Sequence, residues 1–303
     1  MLDVFLTVIL PVFLVAGAGA MLQRWRRLTV GTLSPVTVYV LSPALVFQLI
    51  LNAEMPADTS VKLAVSGLLT TVVVVLTASI ISVTMKQDRS MRSGFLLATS
   101  FPNVGNMGLP ISLLAFGDAG LAAGVILFVT QAAIAWPLGI FIAARSQAHG
   151  LGPLVEALKL PAIYAVALGI VIRALGWSLP TSIDLPVEML AAAAIPAMLL
   201  VLGFQMAHGI EMERWRALLA ALFVRLALAA PIAYGVTLLL GIDGVSQRTA
   251  IIMAAMPAAV FPTLLATTYN AEPRFVSSSV IVSTIVSLGT LTILIDVLDR
   301  WLA

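Results

Sequence analysis

The sequence predicts an all-α polytopic membrane protein of ten transmembrane helices, laid out as two inverted five-helix repeats, with broken helices crossing in spans four and nine. Three observations carry this. Of 303 residues, 61% are hydrophobic and only 10% charged, with a mean hydropathy of +1.10. A soluble domain carries about 25% charged residues, so these side chains cannot cover a soluble globule of this size. Apolar stretches of ~20 residues, each able to cross ~30 Å of hydrocarbon, recur along the whole chain. Two of them are interrupted at mid-span by proline and other helix-breaking residues. A transmembrane barrel is excluded, because its strands would alternate polar and apolar positions.

The ten spans fall at roughly 2–22, 31–51, 61–85, 93–116, 121–143, 161–177, 185–207, 217–241, 248–269 and 275–298. The first has no basic residue before it and is followed by Arg24, Arg26 and Arg27, the reverse of a secretory leader. It reads as a retained span. Connections are short. The longest, from Ala144 to Leu160, divides the chain into a first repeat (1–143), a cytoplasmic connection (144–160) and a second repeat (161–303). Five spans per half place the second half upside down relative to the first, a plan common among secondary transporters. Faint internal symmetry agrees: Leu10-Pro11 with Gly19 recurs as Leu160-Pro161 with Gly169, Pro43-Ala44 as Pro196-Ala197, and Pro102 as Pro257.

Connections after odd-numbered spans hold eleven of the sixteen Lys and Arg, and the opposite side holds four. Basic loops stay in the cytoplasm. Both termini are therefore expected outside the cytoplasm, in a multi-pass protein of the inner (plasma) membrane.

Several functions are excluded. The net charge of +2 and the lack of a basic, aromatic-interleaved stretch leave nothing for a nucleic acid. With no cysteine there is no disulfide or thiolate metal site. No His/Asp/Glu cluster suits a metal, no P-loop suits ATP, and no paired carboxylates or Ser/His pair share one depth. No cofactor, metal site or enzymatic activity is expected. A membrane-embedded enzyme, or a scaffold or binding protein without transport, is the alternative reading.

Span four reads Ser93-Gly-Phe-Leu-Leu-Ala-Thr-Ser-Phe-Pro-Asn-Val-Gly-Asn-Met-Gly-Leu-Pro-Ile111. Its centre gathers Pro102, Asn103, Gly105, Asn106, Gly108 and Pro110. A proline costs about 3 kcal/mol in a helix interior and a glycine ~1. Non-helical backbone at this depth survives only when buried in protein or lining a wet cavity. Span nine repeats the theme with Pro257 and Pro262. Paired interruptions in corresponding spans point to a midplane binding site. A half-helix beginning near Leu109-Pro110 would aim free N–H groups and a partial positive charge at the centre, favouring a carboxylate. Asn103 and Asn106 add side-chain donors and acceptors.

Other intramembrane polar residues are fewer. Arg225 lies within span eight and should have a partner or snorkel to the cytoplasmic side; a structural or topological role is expected ahead of the alternative, substrate contact. Gln48, Gln131 and Gln205 suit either an interhelical hydrogen bond or a substrate carboxylate, Gln131 being best placed for the latter. Asp296 is expected at the outer interface, and His149 and His208 in cytoplasmic connections.

The run Asn103-Val-Gly-Asn-Met-Gly-Leu-Pro110 resembles the fourth-span signature of the auxin efflux carrier family of membrane transporters, which includes bacterial malonate and malate permeases. Ile9-Leu-Pro-Val-Phe13, Tyr39-Val-Leu-Ser-Pro-Ala-Leu-Val-Phe47, Ala194-Ile-Pro-Ala-Met-Leu-Leu-Val-Leu-Gly203, Ala255-Met-Pro257 and Ser283-Thr-Ile-Val-Ser287 fall in the family's order. The resemblance implies a scaffold of spans one, two, six and seven, and a mobile domain of spans three to five and eight to ten. It implies alternating-access transport of a small organic anion, either a dicarboxylate or an auxin-like acid. By motif match the site residues are Asn103, Gly105, Asn106, Gly108 and Pro110, with Met256, Pro257 and Ala258 opposite. A coupling proton or sodium ion and a homodimer are left open. The chain departs from the family at Ala266-Thr-Thr-Tyr269, where many bacterial members carry an acidic pair, and at Ala259, Val260 and Phe261, where asparagines are common.

Overall fold

The computed structural model describes residues 1–26, 30–52, 56–144, 161–205 and 213–301. The expected connection at 144–160, with His149, and the loop holding His208 lie outside the described residues apart from Ala144. Twelve helical segments follow one another among the described residues, which hold no strand beyond one isolated bridge. They are α1 (Leu2–Arg26), α2 (Leu33–Leu51), α3 (Ala57–Thr84), α4 (Arg89–Ser100), α5 (104–116), α6 (118–144), α7 (Pro161–Ala174), α8 (Thr181–Gln205), α9 (Trp215–Leu239), α10 (Gly244–Ala254), α11 (Phe261–Thr268) and α12 (Pro273–Trp301). Seven runs are long and apolar enough to cross a membrane, and one of these, Val104–Ala135, contains the α5–α6 junction. There Gly117, at φ +65° and ψ −158°, turns the chain where only glycine fits easily.

Among the described residues four helices open into a wide π turn, at Phe5–Ile9, Thr37–Leu41, Val104–Gly108 and Phe223–Leu228. Each turn ends two or three residues before a proline: Pro11, Pro43, Pro110 and Pro231. The reason is steric. A proline cannot donate to the carbonyl four residues back, and its ring collides with that carbonyl. One extra residue in the preceding turn moves the carbonyl aside, so the helix passes the proline without stopping.

The closest helix pair is α1 with α8, whose backbones touch. A Cβ added to Gly203 would sit 1.8 Å from the Ala16 carbonyl oxygen, and one added to Gly19 2.5 Å from that of Leu200. Small residues allow this approach where hydrocarbon offers no hydrophobic drive for association. α2 packs against α7 and α8, and Gly169 of α7 abuts Ile50. The second body of contacts joins α3 with α4, α6 and α9, α10 with the α5–α6 arm and α9, and α12 with α4, α9 and α11. Large apolar side chains on the outer surface, among them Leu14, Leu76, Ile80 and Leu239, are exposed as lipid-facing residues should be. The Met1 amino group pairs with Asp296, so the start of α1 and the end of α12 share one face of the helical layer.

Candidate functional site

The site is built where α4 and α10 end and α5 and α11 begin. Asp88 starts α4, its carboxylate accepting the Met91 N–H at 2.9 Å. α4 stops at Ser100 because Phe101 turns extended (φ −118°, ψ 104°) ahead of Pro102. α10 stops at Ala254, shortly before Pro257. The two extended segments then meet as a minimal antiparallel pair, Pro102 opposite Ala258. The Asn103 N–H donates to the Pro257 carbonyl and the Ala259 N–H to the Phe101 carbonyl, both at 2.8 Å. The Ala258 N–H donates to Ser283 Oγ of α12 at 3.1 Å, and the Val104 N–H to the Pro102 carbonyl at 2.9 Å. Non-helical backbone is thus satisfied by its counterpart from the other half of the chain. The Phe101 and Phe261 rings close one side edge to face, with centroids 5.3 Å apart. Ser283→Ala would leave the buried Ala258 N–H unpaired, at a cost of about 1–3 kcal/mol. A melting temperature several degrees lower is expected, with recovery in Ser283→Thr.

Arg225 holds the ends of the first two half-helices together. It is 2% exposed. One terminal guanidinium nitrogen donates to the Thr99 carbonyl at 2.8 Å, and the other donates to the Ala254 carbonyl. Those carbonyls belong to the last turns of α4 and α10, each carrying roughly half a negative charge. Of the two outcomes expected of this arginine, a partner or snorkelling, the partner is found. Two carbonyl ends pointing at one buried place give the guanidinium better partners than a stretch to the interface would.

The other sequence-derived positions divide into three groups. Asn103 is buried, its backbone fully engaged and its side-chain Nδ2 without a partner. Asn106 is half-buried in the first turn of α5. Gly105 and Gly108 serve close packing: added Cβ atoms would meet the Phe128 ring at 3.1 Å and Met253 Sδ at 2.6 Å. Met256, Pro257 and Ala258 are buried in the crossing, and Pro262 occupies the first turn of α11, where its missing N–H costs nothing. Pro110 is a correction. Helical backbone resumes at Val104, more than a turn before Leu109-Pro110, and Pro110 sits inside the helix behind the π turn. The N–H groups free to face the centre therefore belong to the turn that starts at Val104, while the Gly108 N–H already bonds the Asn103 carbonyl at 3.0 Å.

Gln131 of α6 lies elsewhere in the site. Its Oε1 is 2.9 Å from Thr71 Oγ1 of α3, and its Nε2 has no partner. It lines a small cavity with Ser66, Thr70, Ser100, Pro102 and Arg225, among others. Of the residues expected from the sequence, only Gln131 and Pro102 line this cavity. Gln48 is occupied structurally, donating to Asp184 at 2.9 Å. Sequence reasoning missed Ser66, Thr70 and Ser100. The signal was weak: Ser66 and Thr70, one helical turn apart, share their span with Thr71, Thr77, Ser79, Ser82 and Thr84, and Ser100 stands two residues before Pro102. Among the described residues no three His, Asp or Glu side chains gather as a metal site.

Lipid-facing helices around a buried polar crossing define a multi-pass α-helical membrane protein. The profile of the family described as "Membrane transport protein" matches residues 4–295, and the chain belongs to this family, the auxin efflux carriers that residues 103–110 resemble. It is 24% identical over 266 residues to an "Uncharacterized transporter" of Methanothermobacter thermautotrophicus, covering 86% of each chain. It is 23% identical over 274 residues to a Rhizobium meliloti protein named "Putative malonate transporter", covering 86% of this chain and 85% of that one. A further "Uncharacterized transporter", from Methanocaldococcus jannaschii, is 24% identical over 200 residues, 64% of this chain and 65% of that one. These relatives are transporters by name, and family and relatives point away from an enzyme.

Proposed function

We propose that this chain is a secondary transporter that moves a small organic anion across the inner membrane by alternating access. In this reading it has ten spans in two inverted repeats, with both termini outside the cytoplasm. Spans one, two, six and seven form the scaffold, and the remaining spans move as a body carrying the substrate. The touching α1–α8 backbones and the α2–α7 contact support a rigid scaffold. The observation that carries the reading is the crossing itself. Two non-helical segments from opposite halves of the chain are bonded to each other at its centre, beside the unpartnered Asn103 amide. The substrate carboxylate binds Asn103, Asn106 and the N–H groups left free in the first turn of α5, with Met256, Pro257 and Ala258 opposite. The Rhizobium relative's name makes malonate the first acid to try.

The test is uptake of labelled malonate and other small acids into proteoliposomes. A hydrogen bond to a charged group is worth roughly 1.5–3 kcal/mol. Asn103→Ala and Asn106→Ala should each weaken affinity on the order of tenfold to a hundredfold. Asn103→Asp should be worse than alanine, because it sets like charge beside the substrate in a low dielectric. Unchanged transport in both alanine variants would refute the site. Tighter anion binding in Asn103→Asp would indicate a cation at the crossing instead.

A further inference from the structure

Beside the crossing lies a cavity of about 30 Å³ lined by α3, α4, the α5–α6 arm, α10 and Arg225 of α9. This is room for roughly two waters, the scale of one carboxylate group. Three of its lining residues each hold a buried polar atom with no partner: Arg225 Nε, Gln131 Nε2 and Ser100 Oγ. The residues are 2%, 7% and 1% exposed. A guanidinium N–H, an amide NH2 and a hydroxyl are all donors, and no carboxylate lines the cavity. Buried donors left unpaired are costly, so such a cluster calls for an acceptor.

Charge agrees with the donor set. The guanidinium offsets the partial negative ends of α4 and α10 through the Thr99 and Ala254 carbonyls. The starting ends of α5 and α11 then contribute partial positive charge to the same crossing, so its balance is positive. Thr71 supplies an adjustable element. Its Oγ1 lies 2.8 Å from the Gly67 carbonyl and 2.9 Å from Gln131 Oε1. Giving its single proton to Gln131 holds the amide with Nε2 towards the cavity.

The geometry points to this cavity as an anion subsite that seats one carboxylate group on Arg225 Nε–H, Gln131 Nε2–H and Ser100 Oγ–H. The inference rests on the organic-anion reading above and deepens it. In a dicarboxylate one carboxylate lies on the asparagines of the crossing and the second is received in this cavity, by residues from both halves of the chain.

The probe is sodium formate, the smallest carboxylate, titrated by calorimetry into the purified full chain at constant ionic strength. Saturable binding is expected. Gln131→Leu and Ser100→Ala should each weaken it roughly tenfold to a hundredfold without lowering the unliganded melting temperature by more than a few degrees. Gln131→Glu keeps shape and the Thr71 contact, introduces like charge and should abolish binding; it carries the test if Gln131→Leu does not fold. Gly17→Ala, on α1 with nothing within 4 Å of the added Cβ, should bind formate normally. Absence of formate binding by folded wild type, meaning the cavity holds water only, would overturn the subsite. So would binding indifferent to Gln131→Glu. Gln131-dependent formate binding in a chain that transports no acid would uphold the subsite and sink the transport reading. Transport impaired by Asn103→Ala but untouched by Gln131→Leu and Ser100→Ala would do the reverse.

Discussion

Arg225→Ala is expected to abolish transport and to lower the melting temperature more than any other single truncation at the crossing. The guanidinium bonds the Thr99 and Ala254 carbonyls at once. Each hydrogen bond to a charged group is worth roughly 1.5–3 kcal/mol, and both acceptors are helix ends that lose a charged donor when it is gone. Two partial negative ends are then left facing each other in a low dielectric. The crossing should splay, taking Asn103 with it through the Asn103–Pro257 hydrogen bond. Arg225→Lys keeps the charge but loses the planar fork, so it should retain part of the stability and little of the transport. Millimolar guanidinium added to Arg225→Ala should recover part of the melting temperature, since the free ion reproduces the missing fork. Fluorescence-monitored melting with parallel uptake checks all three. A wild-type melting temperature in Arg225→Ala would remove the arginine from this structural role.

Gly203→Leu is expected to prevent the α1–α8 pair from forming. An added Cβ would lie 1.8 Å from the Ala16 carbonyl oxygen and 2.7 Å from the Ala20 nitrogen, both backbone atoms that no rotamer change can move. The helices would have to separate by ångströms along their tightest stretch, losing dispersion contacts and the packing around Val12 and Leu202. The loss should exceed ~3 kcal/mol, the upper range for overpacked cores. Monodisperse protein on size-exclusion chromatography is expected to disappear. Gly203→Ala, with the same Cβ, should fail nearly as badly, whereas Gly17→Ala on the partner helix α1 should be neutral, because nothing lies within 4 Å of that Cβ.

Much of the architecture was legible because it follows from local rules. Expected spans at 31–51, 61–85 and 275–298 match Leu33–Leu51, Ala57–Thr84 and Pro273–Trp301 closely, since length and apolar content alone set them. The interruption at Pro102-Asn103 was legible from proline's missing donor. Its repair was not, because pairing of Pro102 with Ala258 joins segments about 150 residues apart. The start of α5 was misplaced to Pro110 because proline usually opens a helix, whereas here the π turn at Val104–Gly108 absorbs it. Arg225 was noticed as a costly charge, but its partners are backbone carbonyls, which composition cannot reveal. The cavity was half visible: Gln131 stood out in an apolar span, while Ser100 and Thr70 are too common in membrane helices to signal anything until the fold brings them together.

The central claim, a carrier that exposes one anion site alternately to each side, is tested most directly by counterflow. Proteoliposomes are loaded with unlabelled malonate and diluted into labelled malonate. The account predicts transient accumulation of label above equilibrium that needs internal substrate, falls sharply in Asn103→Ala and is lost in Arg225→Ala. A folded wild-type protein that shows no overshoot with malonate or with any other small carboxylate, or that chemically converts the acid without moving it, would contradict the account.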